Sequence, residues 1–219
     1  MPDADLLRWL RRTRGRPVGA EVGDVGRPAR HPDLARVTRE LARLGIHDRF
    51  RFLWSGDGSG VEEDDPRVIQ IHRPLTRAAG APAWVRAAAE RMISMDIASV
   101  ARHEVGHALL FQRPRAARSR AFRALFGHVD RAYRVGDPLG EVLRRVRRHG
   151  GLANPRYRRV VSLYAATHPH ERFAEAVRIA LQHHGDEAAL AAWAARHGTA
   201  AIVTDQLLWA ARWLRGEAG

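Results

Sequence analysis

Apolar positions recur along this 219-residue chain with two periods, one of two residues and one near 3.6. A short amphipathic segment at Leu6, Leu7, Trp9 and Leu10 leads into a Gly/Pro/Arg mixture that reads as an extension up to residue 30. A helix is predicted from residue 32 or 33 to about 44, with Pro32 at its first turn and Gly45 as its stop. Strict alternation follows: Phe50, Phe52 and Trp54 share one face of a strand over 49–54, and Ile69 and Ile71 oppose Val68 and Gln70 in a second over 67–71. Between them lies a Gly/Ser loop over 55–60 and an acidic knot, Glu62, Glu63, Asp64 and Asp65. From residue 83 the period is helical, with helices predicted over 83–95, 97–111, 137–148, 156–164, 169–181, 186–196 and 204–214. The pattern implies a mainly helical α+β fold. Its parts are a basic N-terminal extension (1–30), a small sheet-containing α/β subdomain (31–96) and a helical subdomain (97–219).

Composition narrows the chemistry. At 45% hydrophobic residues the chain can fold without covalent staples. It has no cysteine, which excludes disulfides, thiolate zinc sites, iron–sulfur clusters and a cysteine nucleophile, so any metal must sit on His, Asp or Glu. No secretory signal is read at the N-terminus and no apolar run approaches the roughly 18 residues of a membrane span, so a soluble, cytoplasmic protein is expected.

Within the helix over 97–111 stands His103-Glu104-Val105-Gly106-His107. Histidines at i and i+4 lie on one helical face and can share a single Zn²⁺, with the intervening glutamate beside the metal as general base on zinc-bound water. Ile97, Val100, Val105, Leu109 and Leu110 make the helix a buried one, the setting such a site needs. A catalytic zinc takes a third protein ligand and leaves a position for water. Downstream, Pro169 opens a helix that places Glu171 and Glu175 four residues apart on one face, and Ala174, Ala176 and Ala180 allow another helix to approach closely. One carboxylate can ligate while the other holds a ligand histidine. His168 and His170 compete as ligands, and Arg172 or Arg178 could instead pair with these glutamates as solvated helix charges.

The spacing of His103 and His107, Tyr164, Glu171 seven residues later and Glu175 four beyond resembles the gluzincin-like zinc peptidases of the anthrax lethal factor type. The elements Phe122-Arg123-Ala124-Leu125-Phe126-Gly127 and Tyr164-Ala165-x-x-His168-Pro169-x-Glu171 resemble more closely a bacterial family of zinc-binding metallopeptidases. Coverage runs from about residue 98 to 181. The resemblance implies His103, His107 and Glu171 as Zn²⁺ ligands, Glu175 behind them, Glu104 as base and Tyr164 as donor to an oxyanion, a role a phenol near a metal can fill. It implies a zincin-like fold and a zinc metalloendopeptidase acting on a peptide or protein substrate. Two positions depart from the pattern, His128 and Arg172, where the family tends to carry aspartate. Neither is a ligand, but substrate preference does not carry over. Tyr133, Phe122 and Phe126 read as structural, the last two as one packed helix face.

Charge then changes the picture of the surroundings. All 37 basic residues are arginine and the net charge is +13. Residues 112–163 hold 14 arginines against Asp130, Asp137 and Glu141, so +11 of the surplus lies between the two halves of the motif. Three explanations stand: a solvated basic face balanced by the acidic loop at Glu62 to Asp65, a polyanion partner such as DNA or RNA, or selection of an acidic peptide substrate. No nucleic-acid-binding motif accompanies the charge. A basic regulatory or nucleic-acid-binding protein with a structural zinc site is the alternative to the peptidase.

Overall fold

The computed structural model describes residues 26–47, 50–56, 58–62, 64–72, 96–130, 138–151 and 154–217. The amphipathic segment at 6–10, the helix expected over 83–95, Tyr133 and Asp137 lie outside them. In chain order the described elements are α1 (Pro32–Arg43), β1 (Arg51–Ser55), β2 (Gly60–Val61), β3 (Val68–His72), α2 (Ile97–Gln112), α3 (Pro114–Ala117), α4 (Arg120–Phe126), α5 (Pro138–Arg148), α6 (Pro169–Gln182), α7 (Glu187–Arg196) and α8 (Ala201–Leu214). Short 3₁₀ turns at Pro155–Arg159 and Tyr164–Ala166 separate α5 from α6. The fold is mainly helical α+β with a three-stranded sheet, and no described helix is long and apolar enough to cross a membrane.

β3 is the central strand, parallel to β1 and antiparallel to β2. Phe52 pairs with Ile69 and Trp54 with Ile71, which turns the predicted apolar faces toward the helices. Val68 is buried as well, because a central strand is covered more completely than an edge. β2 falls where the sequence reads a flexible loop. Its two residues take strand geometry from pairing with Gln70 and Ile69, a long-range cause that the local Gly/Ser composition does not carry.

Helix ends follow local chemistry. The Asp96 carboxylate accepts from the Ser99 N–H at 2.8 Å and from its hydroxyl at 2.7 Å, starting α2, and Pro114 limits it at the other end. His168 caps α6, its ring accepting the His170 N–H at 3.3 Å. The helix expected over 156–164 is instead a 3₁₀ turn followed by irregular backbone. Arg156, Arg158 and Arg159 crowd like charge into one turn, and Val160, at φ −140° and ψ 150°, is extended. Val160 to Leu163 are all buried, which a single amphipathic helical face does not permit.

α2 is buried nearly all round from Ile97 to Leu110, as a central helix must be. α6, α1 and β3 pack against it, and α8 packs on α6. Leu34, Val37 and Leu41 of α1 and Phe52, Trp54, Ile69 and Ile71 of the sheet join one continuous apolar cluster with the helices. Phe122, Phe126, Phe173, Trp209 and Trp213 form its aromatic part, with ring centroids 4.8 to 6.3 Å apart, and the expected common face of Phe122 and Phe126 is observed. An ion pair joins α1 to α2 inside this packing. Arg102 of α2 donates from Nε and Nη2 to the two carboxylate oxygens of Glu40 on α1, each at 2.8 Å, with both side chains buried.

Candidate metal centre

Two helices bring the candidate residues together. One turn of α2 separates His103 from His107, so their imidazoles project side by side, with Nε2 atoms 3.0 Å apart. α6 brings up Glu171, whose Oε2 lies 3.0 Å from His103 Nε2 and 3.4 Å from His107 Nε2. These three side chains, all buried, form the described cluster of metal-binding type, with donor atoms within 4.8 Å of one another. Glu175, one turn further along α6, stands behind His103 with Oε1 2.8 Å from Nδ1. Arg178 in turn donates from Nε and Nη2 to the two oxygens of Glu175, each at 3.0 Å.

Two imidazole nitrogens and one carboxylate oxygen, converging with a second carboxylate behind one ring, are a donor set that suits Zn²⁺. The Glu175 contact fixes which nitrogen of His103 faces the other two donors. Burial opposes a charge on His103, but hydrogen bonds to Glu171 and Glu175 outweigh it and lift the imidazolium to about 10. Burial likewise opposes charge on Glu171, yet His107 and His103 hold its carboxyl well below the usual range. For Glu175 the same contest is won by Arg178 and His103, and its carboxyl is also held low. Glu104 shifts the other way: burial raises it above an ordinary carboxyl, partly offset by His103 and His107. Glu171 and Glu175 are thus held in the charged form by the groups beside them, while burial favours the protonated form of Glu104.

Tyr164 opens the 3₁₀ turn before α6, and its ring stacks on His103 with centroids 5.6 Å apart and planes at 29°. Arg145 of α5 secures that turn, donating to the carbonyls of Ala166 at 3.1 Å and Thr167 at 2.9 Å while its Nε holds Glu141 at 2.8 Å. Of the rival ligands, His168 is engaged as the α6 cap, and His170 meets the Phe111 ring edge-on at 5.8 Å. Neither belongs to the three-residue cluster. Arg172 donates to the Phe126 carbonyl at 3.4 Å and His128 is exposed. Arg178, which the sequence offers only as a surface partner, is the buried anchor of Glu175. The i,i+3 spacing was its signal. Gly106 and Phe111 gave none beyond their places in the helix.

Among the described residues, the arginines between the two halves of the site are largely solvent-facing, among them Arg115, Arg120, Arg123, Arg147, Arg148 and Arg158. Asp130 is bound by Arg118 at 3.0 Å, and Glu141 is shared by Arg144 and Arg145. Of the acidic loop, Asp65 binds Arg51 at 2.9 Å, and Glu62 accepts from Gln70 within the sheet.

Residues 97–206 match a family model described as "Putative zinc-binding metallo-peptidase". That span opens with α2, runs into α8 and contains every residue of the cluster. No curated protein and no solved structure matches the chain.

Proposed function

The chain belongs to the zinc-binding metallopeptidase family matched over residues 97–206, and from that premise we propose that it is a zinc metalloendopeptidase of zincin-like fold with Glu104 as general base. The observation that carries this reading is the convergence of His103 Nε2, His107 Nε2 and Glu171 Oε2 from two helices. In this reading those three side chains hold Zn²⁺. Glu175 orients His103 through Nδ1, with Arg178 fixing Glu175. The spacing of Tyr164, Glu171 and Glu175 supports kinship with the gluzincin-like peptidases of the lethal factor type.

When bound, Zn²⁺ supplies Lewis acidity, lowering the pKa of a water and polarising a carbonyl. The protein's own groups do the rest. Glu104 takes the proton of the attacking water and returns it to the leaving amine. Burial raises its affinity for a proton above that of an ordinary carboxylate, which favours the first of these transfers. The Tyr164 phenol, carried on a ring stacked against His103, donates to the negative charge that develops on the carbonyl oxygen. Arg145 keeps the Tyr164 turn in place through the Ala166 and Thr167 carbonyls.

Glu104→Gln tests the reading directly. Against a mixed peptide library, the zinc-loaded variant should retain its metal and lose about 10²- to 10⁴-fold in turnover. Undiminished cleavage would refute it. The exposed arginines favour one second reading, a basic regulatory protein that binds nucleic acid around a structural zinc. A salt-dependent nucleic-acid complex indifferent to Glu104→Gln, without peptidase activity in the wild type, would select that reading instead.

A further inference from the structure

Phe111 is the large apolar side chain that stands exposed among the described residues, at 41% of its surface. It lies one helical turn past His107 on α2. Its ring stacks on the His107 imidazole, with centroids 6.2 Å apart and planes at 20°. From α6, His170 meets the same ring edge-on at 5.8 Å and 76°, and His170 immediately precedes Glu171. The two residues that flank the cluster on α2 and α6 therefore touch each other at its rim. A phenyl ring left in water forgoes the gain that burial gives. Its neighbours Leu109 and Leu110 are buried, so α2 has the means to bury apolar groups and Phe111 is an exception to its pattern.

We propose that Phe111, buttressed by His170, is the specificity-determining residue of a subsite that receives an apolar side chain of the peptide substrate next to the scissile bond. The proposal rests on the peptidase reading of His103, His107 and Glu171. Contact with the His107 ring sets the location, since whatever covers the exposed face of Phe111 lies one side chain from a metal-site residue. Aromatic chemistry sets the preference. A phenyl face attracts apolar and aromatic groups through edge and offset contacts, and it also attracts cations. Cations are disfavoured here, because Arg113 and Arg115 follow within four residues, both exposed, in a stretch carrying +11. An apolar side chain satisfies the ring without meeting that repulsion.

The test compares zinc-loaded wild type, Phe111→Ala and Phe111→Leu on a peptide library with randomised central positions, read by mass spectrometry, with zinc content and sedimentation measured in parallel. The wild type should favour an apolar residue on one side of the cleaved bond. Phe111→Ala should lose about tenfold or more in kcat/KM for those peptides, chiefly through KM, while Phe111→Leu keeps much of the preference and both variants retain zinc. A preference unchanged in Phe111→Ala, or a change in oligomeric mass in place of a change in preference, would overturn the proposal and leave the peptidase reading standing. A zinc-loaded wild type that cleaves no member of the library would overturn the peptidase reading, and this subsite with it.

Discussion

Gly106 and Ala174 face each other where α2 meets α6: a Cβ on Gly106 would stand 2.7 Å from Ala174 Cα and 3.1 Å from its carbonyl oxygen. The contact sits between the two histidines on one helix and the two glutamates on the other, so it sets the distance at which His103 and His107 meet Glu171. Gly106→Ala is therefore a sensitive probe. Helix propensity favours alanine by about 1 kcal/mol, whereas overpacking costs roughly 1–3 kcal/mol. The obstruction is backbone, which cannot swing aside as a flexible side chain can. A net loss of up to about 2 kcal/mol is expected in urea unfolding of the metal-free protein, with weaker zinc binding in competition against a chelator. A variant as stable as wild type with undiminished affinity would mean that the two helices have slack.

Glu175→Gln isolates the support behind His103. The amide keeps the size of the side chain but no longer offers a carboxylate to His103 Nδ1 and to Arg178. Zinc affinity should fall about 10- to 100-fold, the usual consequence of removing an oriented partner of a ligand histidine. Chelator competition on the folded protein measures this. Unaltered affinity would show that the position of His103 is fixed by helix packing alone.

Much of this site was legible in the sequence because its two halves are local patterns. The i,i+4 spacing of His103 and His107 and of Glu171 and Glu175 follows from helical geometry, and Pro169 announces the helix carrying the second pair. Which glutamate would reach the histidine pair was not legible from helical spacing alone; only the family resemblance implied Glu171, with Glu175 behind it. Both carboxylates lie on one face of α6, and only its placement against α2, set at Gly106 and Ala174, brings Glu171 to the two Nε2 atoms and Glu175 behind His103. The pairing of Arg102 with Glu40 escaped for the same reason: partners 62 residues apart leave no spacing pattern. The buried run from Val160 to Leu163 shows the reverse failure, since a local helical reading was overridden by tertiary burial of every residue in it.

Zinc binding should depend on pH with a definite sign. In the metal-free protein the His103 imidazolium titrates at about 10, so at neutral pH it carries a proton on the group that must offer a lone pair to the metal. Affinity should rise with pH by about tenfold per unit until that value is reached, with about one proton released by His103 per zinc. Calorimetry in buffers of different ionisation enthalpy counts these protons. The stability of the metal-free form has the opposite trend. Because the His103 pKa is raised above its ordinary 6.5, its contribution is full below that value and is lost as pH rises through about 10. Glu171 and Glu175, both lowered, contribute above the ordinary carboxyl range and lose that contribution as pH falls through their depressed values. Zinc binding that is flat from pH 6 to 9 would exclude a protonated His103 between Glu171 and Glu175 in the metal-free protein.

Glu40 and Arg102 set a final test, of how α1 supports the candidate metal centre. Glu40→Ala leaves a buried guanidinium without its carboxylate, and such a break costs about 3–5 kcal/mol. The double replacement Glu40→Leu with Arg102→Met removes both charges and should recover most of the loss, because apolar residues of similar volume commonly match a buried pair in stability. Urea unfolding of Glu40→Leu, Arg102→Met and the double variant closes the cycle and gives the coupling. Arg102 directly precedes His103, so zinc affinity of the double variant separates two roles. If the pair only holds α1 onto α2, affinity is retained once stability is restored. If the bidentate contact fixes the rotation of α2 about its axis, the double variant folds as stably as wild type and binds zinc more weakly, because a small turn of that helix carries both imidazoles away from Glu171.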